Sequence, residues 1–357
     1  MNRRDFLVGS AIAGGLTLTD GLAMAEDHAG SVRTTVIDTH AHWYPQAWVD
    51  LAAKEGPKYG AKIGKTDNGY VTFATPKFTA VFSPAFVDLD ERMKAMDKQG
   101  VDMHALSLTS PMVYWAPADL GLTLSQAFND SCVEAHAKYP GRFVGMAMLP
   151  MQDPKLALQE LERVSKLKGM RGVYMSTFPA DREMDYKEYF PIYAKCEQLG
   201  WPIFLHPVNP VGADRMKRFY LGNLIGNPSE SGLAAAYLIF GGVMDAFPKL
   251  DVLLPHAGGT FPWLSGRFDR GVACRPELKH MKQPATDYLR RFHYDTITHN
   301  PQLLSFLIQY VGADRVVLGS DYCYDMGYDM PVQAISKVPA SQRSLILGSN
   351  AAKLLRI

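Results

Sequence analysis

The sequence predicts an α/β fold, a closed (β/α)8 barrel of the TIM type with a small β-ribbon insertion after its first strand. Three observations predict it. Eight short, β-branched runs alternate with longer amphipathic stretches, and strands alternating with helices are parallel strands joined by crossovers. Eight such units in a chain of 357 residues suit one barrel better than an open sheet. Several of the runs end in histidine or aspartate, at the strand ends where a barrel gathers its functional side chains.

The first strand is read over 35–39. Residues 55–87 then break the rhythm: Gly60, Gly64 and Gly69 punctuate aromatic and β-branched residues, the pattern of a β-ribbon. A helix over 90–98 carries Met93 and Met96 one turn apart. The remaining strands are read over 103–109, 143–149, 172–176, 202–206, 252–256, 293–298 and 316–320. Helices over 120–138, 154–167, 186–199, 229–247 and 302–311 lie between them. Gly100, Gly169, Gly200 and Gly312 follow the last turns of four helices, each just before a strand. Residues 207–228, rich in Gly, Asn and Pro, form a long loop after the fifth strand. Like the insertion, it leaves from a strand's C-terminal end, and loops of that length in a compact domain usually carry function.

Composition narrows the partners. Hydrophobic residues make up 47% of the chain and charged ones 20%, the balance of a soluble globular protein. A formal charge of +1 gives no basic excess for a nucleic-acid backbone or an anionic membrane surface. The N-terminus is read apart from the fold. Arg3-Arg4-Asp5-Phe6-Leu7, an apolar run over 8–18 and Ala23-Met24-Ala25 make a twin-arginine-type signal peptide over 1–25. The barrel domain then spans 26–357, and the mature protein is expected in the periplasm. Four scattered cysteines without framework spacing are expected to remain free thiols.

The chemistry lies at the strand ends. In Asp38-Thr39-His40-Ala41-His42 the two imidazoles are two residues apart, so a strand projects them on one face. His206 ends the fifth strand, His256 the sixth, and Asp321 follows the eighth. His40, His42 and His206 offer three neutral nitrogens, and Asp321 an oxygen that lowers the site's charge, a donor set for one divalent cation. His256 then serves as general base or acid on the metal-bound water, since imidazole titrates near neutrality. The spacing also permits His206 and His256 to exchange these roles. No lysine stands at a matching strand end, so a carbamate-bridged pair of metals is not expected. Trp115, in the loop after the second strand, is a candidate pocket wall. Asp295 and His299 flank the end of the seventh strand within reach of a substrate, and Asp38 is expected to orient the start of the barrel. His104, His136 and His280 are assigned to packing.

Further segments carry a family resemblance. They include Pro111-Met112-Val113-Tyr114-Trp115-Ala116, Arg142-Phe143-Val144-Gly145, Phe204-Leu205-His206-Pro207, Asp214-Arg215-Met216, His256-Ala257-Gly258-Gly259-Thr260-Phe261-Pro262, Gly266-Arg267 and Gly319-Ser320-Asp321-Tyr322. In this order and spacing, over nearly the whole mature chain, the sequence resembles the amidohydrolase-related decarboxylases, most of all their α-amino-β-carboxymuconate-ε-semialdehyde decarboxylase branch. The resemblance implies one Zn2+ on the four ligands named above, His256 as the base, and a small carboxylic acid as substrate. It also implies a homodimer in which Arg267 reaches the neighbouring subunit's pocket and holds a substrate carboxylate. A planar guanidinium suits that task through two parallel hydrogen bonds.

Two departures concern the substrate. The branch has an arginine in the insertion where residues 78–90 here contain none, and a tryptophan after the His-Pro pair where Val208 stands here. A smaller, less charged acid or an aromatic hydroxy-acid fits these changes. The expected reaction is therefore metal-dependent, non-oxidative decarboxylation of an unsaturated or aromatic acid. Hydrolysis of a lactone or amide, or hydration, is the alternative within the same superfamily. A non-catalytic exported metal-binding protein ranks last, because such a protein needs no base beside its metal.

Overall fold

Every residue of β1 (Ile37–His42) is buried, polar ones included, as expected for a strand covered on both faces. The computed structural model describes residues 34–75 and 78–357; the signal expected over 1–25 lies outside them. After β1 the chain forms a helix, Gln46–Glu55, and then a small antiparallel sheet of β2 (Lys62–Lys65), β3 (Val71–Thr75) and β4 (Phe78–Phe82). This sheet is the expected insertion. Phe73 and Phe82 are buried in it, and Phe82 stacks on Tyr44 with ring centroids 4.0 Å apart.

Seven further strands complete a parallel sheet with β1: β5 (Met103–Ser107), β6 (Phe143–Ala147), β7 (Met170–Ser176), β8 (Ile203–His206), β9 (Val252–Leu254), β10 (Phe292–Asp295) and β11 (Val316–Val317). Their spatial order is β1-β5-β6-β7-β8-β9-β10-β11, each strand beside the next in sequence. The two ends of that order meet. Thr39 N and Oγ1 donate to Leu318 O at 2.9 and 2.8 Å, and His42 N donates to Tyr322 O at 2.6 Å. Asp38 reinforces the seam: its carboxylate accepts from His40 N at 3.0 Å, from Ser320 N at 3.1 Å and from Ser320 Oγ. Burial pushes this carboxyl up to about 6, partly offset by those hydrogen bonds. His104, on the neighbouring strand, sits 3.6 Å from Asp38 and is wholly buried, as a packing residue should be.

Several elements differ from the sequence reading. The Gln46–Glu55 helix was not expected; it is short, opens after Pro45, and buries only Trp48, Val49 and Ala52. The 229–247 helix is two, Asn227–Phe240 and Val243–Ala246, because Gly242 takes a φ of +76° between them. A further helix, Phe261–Cys274, follows β9. Strands β9 and β11 are shorter than read, since the chain turns for its functional residues before the apolar pattern ends. The four cysteines are unpaired. Among the described residues no helix is long and apolar enough to cross a membrane.

Candidate active site

The strand ends bring five side chains to one rim. Ligand atoms of His40, His206, His256 and Asp321 all lie within 4.8 Å of one another. His42 joins them through Asp321, its Nε2 2.9 Å from Asp321 Oδ1. The rings of His40, His42 and His206 stand edge-on to one another, with centroids 4.9 to 5.3 Å apart.

Three of the histidines are anchored from outside. His40 Nδ1 lies 2.8 Å from Asp295 Oδ2. That carboxylate also accepts from the backbone N–H groups of His256, Ala257 and Ile297, at 2.9, 2.7 and 3.1 Å. His206 Nδ1 lies 3.1 Å from Pro207 O, an oxygen that can only accept. His42 Nδ1 lies 3.0 Å from Ser107 Oγ, whose own proton goes to Ala41 O at 3.2 Å. Each Nδ1 therefore carries the proton, and each Nε2 turns a lone pair to the centre.

This arrangement fits a cation. His40 Nε2 is buried without a hydrogen-bond partner. The His42 lone pair faces a carboxylate oxygen at 2.9 Å, a repulsive contact unless positive charge lies between them. Ligating imidazoles are oriented in this manner, by a carboxylate or carbonyl on the outer nitrogen. Burial brings His42 down to about 4 and holds His206 well below the usual imidazole range, so both are neutral donors at physiological pH. Burial would raise Asp321, yet His40, His256 and His42 keep it well below the carboxylate range. His40 moves upward: burial opposes protonation, but Asp321 and Asp295 outweigh it.

His256 is held differently. It follows β9 in a left-handed turn, φ +53°, which the Asp295 carboxylate caps through the backbone. Its Nδ1 has no hydrogen-bond partner, and its Nε2 is 3.8 Å from Asp321 Oδ2. Two cavities open beside these residues. The first, of about 630 Å³, reaches His206 and Asp321 and has a wall of Phe78, Tyr114, Trp115, Phe178 and Tyr324. The second, of about 440 Å³, reaches His256 and Asp321 and is bounded by Trp263, Ile297, Leu303 and Leu307.

The family model described as amidohydrolase matches residues 37–357. The chain belongs to the amidohydrolase family. Among its relatives is the 2-amino-3-carboxymuconate-6-semialdehyde decarboxylase of Dictyostelium discoideum, 32% identical over 90% of this chain and 92% of that protein. Two solved structures share the fold. The 5-carboxyvanillate decarboxylase of Sphingomonas paucimobilis superposes with a TM-score of 0.77 at 26% identity, over 91% of this chain and all of that one. A dihydroxybenzoic acid decarboxylase of Polaromonas sp., with bound manganese and 2-nitroresorcinol, gives 0.75 at 26% identity, over 91% and 97%.

Within this amidohydrolase the structure brings His40, His42, His206, His256 and Asp321 together, and Trp115 lines the first cavity. Arg267 does not join them. It is exposed on the Phe261–Cys274 helix and lines neither cavity of its own chain. Asp295 is more than a residue flanking β10, since it anchors both His40 and the His256 turn. Ser107 was not singled out at all. Its signal was available, as the last residue of a strand paired with the one carrying His42, but serine at a strand end is too common to stand out alone.

Proposed function

We propose that this amidohydrolase is a metal-dependent, non-oxidative carboxy-lyase acting on a small unsaturated or aromatic carboxylic acid. The observation that carries the reading is the contrast among the four histidines. Three have the outer nitrogen tied down and the inner lone pair directed at Asp321. The fourth, His256, has no tie on its outer nitrogen, and its Nε2 stands farther off, 3.8 Å from Asp321 Oδ2. His40, His42 and His206, with Asp321, hold the cation, and His256 handles the proton. The decarboxylase names of the relatives support the reaction class.

A divalent cation in this position polarises a substrate oxygen and stabilises negative charge that develops near it. The protein does the rest. The aromatic wall of the first cavity orients the substrate's flat body with its carboxylate toward Asp321. The bond to the carboxylate carbon breaks with its electron pair left on the substrate. His256 Nε2 delivers a proton to the substrate carbon that keeps this electron pair, and the carboxylate carbon leaves as CO2 without an organic cofactor. Asp295, through the two backbone N–H groups, keeps the His256 ring where that transfer is made.

The nitrogen-rich donor set suits zinc, although manganese occupies the Polaromonas relative, so metal analysis of the purified protein decides the ion. We further propose a homodimer in which Arg267 of one subunit enters the other's site and binds the substrate carboxylate. Its exposed position on a helix that also presents Trp263 supports that role. Export by the twin-arginine route, with a periplasmic working place, rests on residues 1–25.

The decisive experiment incubates the metal-loaded protein with hydroxybenzoic acids, unsaturated acids and lactones, and follows CO2 and acid formation separately. CO2 release is expected; acid formed from a lactone without CO2 would make the protein a hydrolase instead. Mixing two inactive variants, His256→Ala and Arg267→Ala, should restore part of the activity if each site draws on both subunits.

A further inference from the structure

The two cavities meet over Asp321, and among the described residues only Asn223 and Asn227 join it in lining both. These asparagines stand one turn apart where the π-helical turn Gly222–Gly226 runs into the Asn227–Phe240 helix. A π turn inside a helix costs regular hydrogen bonding and recurs at functional positions. Neither carboxamide makes a hydrogen bond to another described residue. Each therefore offers an unused acceptor and two unused donors to whatever enters beside the candidate metal ligands.

The charge around them is equally specific. Among the described residues no lysine or arginine lines either cavity, and the only acidic liners are Asp181 and Asp321. Among the described residues, a substrate held here thus meets positive charge only from the cation, from protonated His256 and, on the proposed dimer, from Arg267 of a second copy. All three are committed to the carboxylate that departs and the carbon it leaves. A second carboxylate would leave water for a wall without a counter-charge, which costs far more than burying a neutral hydroxyl that a carboxamide can satisfy.

We propose that Asn223 and Asn227 form the specificity pair of this site. They hold a neutral hydroxyl of the substrate beside its reacting carboxylate and thereby select hydroxy-aromatic monoacids over diacids. The inference rests on the decarboxylase reading for the reaction but concerns recognition alone. It separates this chain from relatives named for diacids, carboxymuconate and carboxyvanillate, and sets it with the one named for dihydroxybenzoic acid.

Calorimetric binding and CO2 release are measured on the metal-loaded full chain with two matched pairs. 2-Hydroxybenzoate should bind at least tenfold more tightly than benzene-1,2-dicarboxylate, and 2,6-dihydroxybenzoate at least tenfold more tightly than benzoate. In the Asn223→Ala, Asn227→Ala double variant, the advantage of the hydroxyls should fall below about threefold while benzoate binds as before. Asn227→Arg, which supplies a cation, should bring benzene-1,2-dicarboxylate level with 2-hydroxybenzoate and gives a gain that misfolding does not mimic. Equal binding of 2-hydroxybenzoate and benzene-1,2-dicarboxylate by the unaltered protein overturns the proposal. So does equal loss of benzoate and dihydroxybenzoate in the double variant. If no acid releases CO2 while the binding preferences hold, the decarboxylase reading fails and the recognition pair stands; the converse result removes only the pair.

Discussion

The ends of β1, β5, β8 and β10 form the floor of the site, and there nearly every polar side chain is held by a second bond. The 55–87 insertion and the 207–228 loop form its roof, where the opposite holds. On the floor, Asp295 accepts four hydrogen bonds and Ser107 bridges His42 to Ala41. In the roof, Asn223 and Asn227 face the cavities unbonded, and Phe219 and Tyr220 are 73% and 58% exposed with left-handed backbones. The floor resists change because each ligand depends on its neighbour. The roof tolerates change because its side chains meet mainly solvent and substrate. On the proposed reading, reaction type and substrate choice are carried by different parts of the chain.

The comparison can be broken most sharply at the floor. Removing the metal with a chelator should lower CO2 release by at least about a thousandfold, recovered on adding back a divalent ion. His256→Ala should lower kcat by about a hundredfold to ten-thousandfold with metal content, read by atomic emission, unchanged. Loss of metal in that variant would instead make His256 a ligand. Asp295→Asn removes the carboxylate oxygen that takes the His40 proton. Competition against a chromophoric chelator should show about tenfold to a hundredfold weaker metal binding.

The seam gives a prediction in stability. In the folded protein burial pushes the Asp38 carboxyl up to about 6, above the usual carboxylate range, so the fold favours its protonated form. The associated stability is present below about pH 4 and is lost as pH rises through 6. On the metal-free protein this amounts to about 3 kcal/mol. Denaturant titrations of the metal-free protein between pH 4 and 7 should show this slope, and Asp38→Asn should flatten it. The smallest effect belongs to the wall of the first cavity. Trp115→Ala should change the ratio of kcat/KM between two aromatic acids by about tenfold or less and leave metal affinity untouched.

The same division explains what could be read from the sequence. The alternation in His40-Ala41-His42 and the polar residues ending apolar runs at His206, His256 and Asp321 are local signals, and the structure brings these residues together on the floor's inward side. The outer anchors are not local. Asp295 serves His40 from 255 residues away and Ser107 serves His42 from 65, so nothing in either neighbourhood announces the pairing. The Gln46–Glu55 helix escaped because three buried residues in ten give a weak periodic signal. Gly241-Gly242 broke a helix that hydrophobic spacing alone carried across. In the roof, Asn223 and Asn227 belong to a loop-like stretch whose function appears only when two cavities are seen to share them.

The seam between β1 and the segment after β11 has a consequence for how the protein is made. His42 and Asp321 are 279 residues apart, and their contact exists only once the last strand has docked on the first. Such a contact bears the full loop-closure entropy of the chain and forms late. A nascent chain still lacking its C-terminus holds three histidines but no carboxylate to complete the set. On the proposed ligand set, metal capture rewards only chains whose two ends have found each other.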